Sequence, residues 1–427
     1  MSHSFFAKGR RYLIAGATVA CGATLALACG SGDDTAAPGG SGGSAGNAAG
    51  GAHSGGATAS GGKAGASGGA AAGGAKNGGA SNGGASNGGA SNGGTGVAEA
   101  GAGGEAPLAS FAVKRTDLDS DQAGAAVTDA NLINAWGIAI NPTAQLFWVA
   151  SNHGGSVPVY DANGALKPLD PKVPPLTGTD PGNPTGQVFN GGTGFKADKF
   201  IVDTEDGQIM DWGGAGDFVQ RAKKDGAIYK GLALVGTGAS QWLVATDFHD
   251  GSVDVYDTDY KPVDAADAFK DASIPDGFAP FNAMPIADKV YVTYAKQDAD
   301  AEDDEAGLGN GYVSEFKADG TFTKTLISAG ELNSPWAVAL APAAFGDLAG
   351  MLLVGNFGDG KVHAYDPTSG ALVGQLTDDA GDPLVILELW DLKVGPTGTK
   401  DLSSTLFFSA GPGGESHGVF GKLEAAK

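Results

Sequence analysis

Cysteine is nearly absent from this chain: Cys21 and Cys29 are the only two in 427 residues. Cys21 falls inside an apolar N-terminal run, so a chain processed after that run keeps only Cys29 and forms no internal disulfide. Stability must then come from a sizeable core, and no cysteine is left elsewhere for a metal site or a thiol nucleophile. Arginine is almost as scarce, limited to Arg10, Arg11, Arg115 and Arg221. Bidentate guanidinium clamps are therefore few, which counts against a quinoprotein with a tricarboxylate cofactor. Bases of any kind are outnumbered, 26 Lys and Arg against 48 Asp and Glu, for a net charge of −22. From Glu105 onward the balance is 21 against 45. A nucleic-acid role is excluded on that ground, since phosphate binding needs a basic face. Helical heptads of useful length are missing too, and period two dominates the apolar pattern.

What is present begins with Lys8, Arg10 and Arg11, followed by an uncharged apolar run from Tyr12 to Ala28. That is the pattern of an export signal. Leu25-Ala26-Leu27-Ala28 directly before Cys29 resembles a bacterial lipobox, which implies a signal peptide over 1–28, lipidation at Cys29 and a bacterial cell-envelope address. An ordinary cleaved signal and an uncleaved anchor stay open, the latter short for a bilayer span. Residues 30–104 hold 30 glycines mixed with Ala, Ser and Asn, including three tandem Ala-Ser-Asn-Gly-Gly copies from Ala80. Such a segment has too little apolar surface to offset its ordering entropy, so 29–104 is expected to be a disordered, low-complexity tether. The G-x-S-x-G pattern at Gly39 to Gly43 lacks the strand and helix that give it meaning.

Beyond the tether the chain repeats. Small-residue strands anchored on Trp136, Gln187, Gly231, Asn282, Trp336 and Trp390 follow one another at steps of 51, 44, 51, 54 and 54 residues. Each is followed by a more apolar strand, a Gly-containing turn and an alternating strand, as in Gly251 to Asp257 and Gly360 to Asp366. Units of about fifty residues built from short antiparallel strands predict a six-bladed β-propeller over 105–427. The last unit is one strand short, so the segment Ser110 to Arg115 is expected to complete it and close the ring. A pair of β-sandwiches is the rival architecture.

Several segments together resemble a family of exported bacterial propeller proteins distantly similar to NHL-type propellers. They include Asn131 to Gly137, Tyr229 to Ala233, Ala279 to Asn282, Tyr294 to Asp300, Leu332 to Trp336, Asn356 to Gly360 and His417 to Gly421. The resemblance implies a propeller and export; it supplies no activity.

In the repeat register the turns after the second strands gather at one mouth, where Asn152, His153, Glu205, Asp247, His249, Asn356 and His417 are candidate binding residues. Asp-Gly and Asn-Gly pairs in those turns also serve backbone geometry alone. The loop from Gln297 to Glu305 packs six carboxylates into eight residues, and Asp298, Asp300 and Glu302 are candidate calcium ligands. A solvated acidic loop is the other reading, and Asp303 where an EF-hand needs Gly excludes that motif. Asn134, Asn282 and Asn333 are candidates for an axial channel, as in calcium-dependent lactonases and gluconolactonases. His153, His249 and His417 have no zinc spacing but could meet at the mouth. Trp136, Trp336 and Trp390 suit packing between blades better than sugar stacking. The chain is thus expected to be a lipid-anchored binding or scaffold module. Its partners would be the membrane, through the lipid, and an unknown small molecule, glycan or protein at the mouth. No cofactor is certain, Ca2+ is the candidate, and a calcium-dependent hydrolase is the alternative.

Overall fold

The computed structural model describes residues 108–265 and 267–426. The expected signal peptide over 1–28, Cys29 and the Gly-rich segment lie outside the described residues. Within them the chain is all-β, with only three short 3-10 turns.

Strand β1 (Ala109–Ser120) and the two-residue β2 (Val127–Thr128) come first. Antiparallel meanders follow. The first is β3 (Ala135–Asn141), β4 (Leu146–Ser151) and β5 (Val159–Asp161); the second is β6 (Pro184–Phe189), β7 (Phe200–Thr204), β8 (Gln208–Trp212) and β9 (Val219–Lys223). Next come β10 (Tyr229–Val235), β11 (Trp242–Asp247) and β12 (Ser252–Tyr256), then β13 (Phe278–Ile286), β14 (Lys289–Lys296), β15 (Gly311–Lys317) and β16 (Phe322–Ser328). The last two runs are β17 (Pro335–Leu340), β18 (Leu352–Asn356), β19 (Val362–Tyr365) and β20 (Leu372–Thr377), and β21 (Leu389–Val394), β22 (Leu406–Ala410) and β23 (Val419–Ala425). These last two share one hydrogen-bonded sheet, because β1 lies between them.

Val113 to Ser120 pairs antiparallel with β23, beside which the sequence places an N-terminal strand. Ala109 to Ala112 also pairs parallel with Gly374 to Thr377 of β20, which the strand pattern did not indicate. A bulge between Asp117 and Asp119 bends β1 along this path.

Packing runs in a circle. Separate apolar clusters lie between the first and second meanders (Trp148, Phe200), the second and third (Ile209, Leu243), and the third and fourth (Val244, Val292). They continue between the fourth and fifth (Tyr291, Val354) and the fifth and sixth (Leu353, Phe408), and Phe147 with Phe407 and Phe420 brings the last back onto the first. The first strands β3, β6, β10, β13, β17 and β21 each contact the next, and β21 contacts β3. Crowding there explains their small residues. A Cβ on Gly186 would come within 2.2 Å of the Leu232 amide nitrogen, and one on Gly231 within 2.5 Å of Asn282 Oδ1.

Polar side chains stitch these inner strands. Asn282 Nδ2 donates to the Trp336 carbonyl at 3.0 Å, and the Ile138 amide donates to the fully buried Asp391 carboxylate at 2.9 Å, joining last to first. Each satisfies a backbone group that strand pairing leaves open on the inner edge.

Candidate functional site

Where the inner strands meet, the middle is filled by aromatics. Trp136 and Trp390 stack with ring centroids 3.5 Å apart and planes 15° apart, Phe357 lies 4.2 Å from Trp390, and Trp336 meets Trp390 edge-on at 6.1 Å. Phe248 and Phe281 complete the cluster. All three tryptophans are buried and spent on one another, so none offers a free face for a sugar.

On this floor rests a polar layer built around Lys230, which is 3% exposed. Its ammonium lies 5.4 Å from the Trp136 ring centre and donates to Glu205 Oε1 at 2.6 Å and Asp303 Oδ1 at 3.2 Å. Glu205 Oε2 accepts from Asn152 Nδ2 at 3.1 Å, Asn152 Oδ1 from Asn134 Nδ2 at 3.3 Å, and Asn134 Nδ2 also reaches Glu415 Oε2 at 2.8 Å. Trp390 Nε1 donates to Asn134 Oδ1 at 2.8 Å, which locks that amide from below. Asn134 sits at positive φ, a conformation Asn tolerates better than most residues. The turns supplying Asn152, Glu205, Asp303 and Glu415 follow second strands of different meanders, which is how a chain of local hairpins assembles one site.

Charge in this layer is unbalanced, with Glu205, Asp303, Asp304 and Glu415 around one lysine. Burial, reinforced by the Glu205 charge, pushes the Glu415 carboxyl up to about 8, and burial pushes Asp304 up to about 6. Burial alone would lower the Lys230 ammonium, but Glu205 and Asp303 outweigh it and raise it. For a carboxyl raised from 4.5 to about 8, the folded state holds the proton more tightly than the unfolded chain. Stability is therefore expected to fall as pH rises from about 4.5 to about 8, and Glu415→Gln should flatten that slope. Denaturant midpoints across this range measure it; an unchanged slope in the variant would count against a protonated Glu415.

The sequence-derived candidates divide. Asn134, Asn152 and Glu205 come together. His153 borders them, with Nδ1 2.8 Å from the Glu415 carbonyl. His249 lies apart, its Nδ1 3.1 Å from the Ala301 carbonyl, and the three histidines do not converge. His417 turns to Asp121 instead, at 2.8 Å. Asp247 joins a separate cluster in which Lys224 also meets Asp250 and Asp254. Asn356 braces its own turn through Asp359 and the Glu331 carbonyl. Asn282 and Asn333 do not join Asn134 on an axis, because Asn282 is used up on backbone and Asn333 Oδ1 accepts from the Gly307 amide at 2.7 Å.

In the acidic loop the alternating set gives way to its neighbours. Asp298 accepts from the Glu302 amide, its own amide donates to the Asp303 carbonyl, and Asp300 is exposed. That hairpin brings Asp303 Oδ1 to Lys230 while leaving the Asp303 side chain largely exposed, and it buries Asp304 Oδ2. Among the described residues no three His, Cys, Asp or Glu side chains come together in an arrangement suited to a metal ion. The expected Asp298, Asp300 and Glu302 calcium set is therefore not assembled. Lys230 went unrecognised in the sequence, although a lysine opening an otherwise small and apolar inner strand was its signal.

No family model matches the chain. An uncharacterized protein of Acanthamoeba polyphaga mimivirus is 32% identical over 281 residues, covering 61% of this chain and 68% of the relative. A second uncharacterized protein of the same virus is 32% identical over 320 residues, covering 70% of this chain and 82% of its own length. Among solved structures, regucalcin from Agrobacterium tumefaciens, a calcium-binding protein, has a TM-score of 0.46 at 12% identity, over 74% of this chain and 95% of that one. These relatives correct two expectations drawn from the N-terminal pattern and the ordered segments. The sequence relatives are viral, so neither membership in an exported bacterial family nor a lipid-anchored bacterial envelope address stands. The chain belongs to the family represented by these two mimivirus proteins.

Proposed function

We propose that the ring is a six-bladed β-propeller over 105–427, with β1 fusing the fifth and sixth blades into one sheet, and that it is a non-catalytic binding module for a small amine-bearing cation. The cyclic order of the packing clusters supports the blade count. One observation carries the binding reading: four carboxylates crowd around a single ammonium over an aromatic floor. Lys230 shows what the layer accommodates, a positive charge held between acids and above a tryptophan. A second ammonium beside Glu415 and Asp304 would neutralise the remaining excess, and the acidic surface would draw cations toward the mouth.

A calcium-dependent hydrolase fits these residues less well. Glu205 and Asp303 already pair with Lys230, so the cation position among them is filled by the chain itself. Titration with spermidine as the probe is expected to show saturable binding that weakens with salt, and Glu205→Gln or Glu415→Gln should lower affinity about tenfold or more. Equal affinity in wild type and both variants would sink the assignment of this layer as the site.

A further inference from the structure

Away from the mouth, the ring-closing strand carries a buried carboxylate with no positively charged partner among the described residues. Asp119 is fully buried in β1 at the bulge; the Ser120 and Asp129 amides lie close enough to favour its charge, but neither of its oxygens makes a well-formed hydrogen bond among the described residues. Asp129, 6% exposed, faces it from the segment after β2. Asp129 Oδ1 accepts from the Asn131 amide at 3.0 Å, and Oδ2 accepts from the Tyr160 hydroxyl of β5 at 2.9 Å. Asp170 adds a third negative charge near Tyr160; its Oδ2 meets Lys172, and its Oδ1 is buried without a partner. No lysine, arginine or histidine pairs with Asp119 or Asp129 among the described residues.

A buried carboxylate is tolerated when it is paired, protonated or bound to a cation. Pairing is absent. The two carboxyls act on one another through charge and share no hydrogen bond, which is poor geometry for one proton held between them. We propose that Asp119 and Asp129 form a buried site for one hard cation of the calcium class, which ties the ring-closing strand β1 to the first meander beside Tyr160. Two carboxylates need backbone oxygens and water to complete the six to eight oxygens that calcium takes. The site is independent of the mouth, and its ligands lie on β1 and on the segment between β2 and β3.

Terbium, a calcium surrogate that tyrosine sensitises, is the probe for the full-length chain. Tyrosine-sensitised emission is expected to saturate, to fall when calcium is added, and to drop at least fivefold in Asp119→Asn and in Tyr160→Phe, but not in Asp300→Asn. Calcium should also raise the melting temperature of wild type relative to chelator, and not that of Asp119→Asn. Tyr160→Phe keeps the test open should Asp119→Asn fail to fold. Emission that survives in both variants, or is lost in Asp300→Asn, overturns the site. So does a melting temperature that ignores calcium and rises only on acidification, the mark of a protonated Asp119.

Discussion

Trp390→Ala is expected to lower unfolding free energy by about 4 kcal/mol, near the upper end for a buried aromatic, as read from the denaturant midpoint at constant slope. Three effects combine at this one residue. Its ring stacks on Trp136 and meets Phe357 and Trp336, so truncation leaves a void among rigid groups that cannot collapse into it. Its indole N–H holds Asn134 Oδ1, which would be left buried and unpaired. Asn134 in turn positions Glu415 and Asn152, so the loss should also weaken spermidine binding. A loss below about 1.5 kcal/mol would mean that the plug is not a common core for the ring.

Lys230→Met keeps the length of the side chain and removes its charge. Glu205, one-fifth exposed, would then lose its cation, and the cost is expected to reach about 2 kcal/mol, less than for a fully buried pair because Asp303 is 73% exposed and screened by water. The sign of the pH dependence follows from the carboxyls. Glu415 and Asp304, raised by burial to about 8 and about 6, are protonated at pH 5 and add negative charge as pH rises toward 8, so the penalty should be smaller at pH 5 than at pH 8. Spermidine should stabilise this variant more than wild type, because an external ammonium replaces the internal one. A penalty independent of pH, together with no rescue, would show that Lys230 is held by packing of its stem and not by charge.

The repeat was legible because it rests on short-range facts. Inner strands must be small where they crowd, which marks Gly186, Gly231 and Ala337, and the tryptophans at 136, 336 and 390 recur in register. The path of β1 was only half legible. Its antiparallel partner follows from a missing strand in the last unit, whereas its parallel pairing with β20 joins segments far apart in the chain and leaves no composition signal. The mouth was legible as a set of turns, but which side chains meet there was not. Asp298 and Asp303 stand five residues apart in one acidic run, and only the hairpin that pairs Gln297 with Asp304 decides which of them faces Lys230. Asn282 and Asn333 misled for a related reason: buried asparagine serves backbone groups as readily as ligands, and the spacing of both uses is the same.

The most direct test of the charge-excess layer is proton release on binding. Glu415, raised to about 8, is mostly protonated at pH 7, and an incoming ammonium favours its ionised form. Calorimetric titration of spermidine at pH 7 in two buffers of different ionisation enthalpy should report release approaching one proton per ligand, falling toward zero in Glu415→Gln. Binding with no buffer dependence in wild type, or with equal release in the variant, would contradict an acid-rich mouth poised to exchange its proton for a cation.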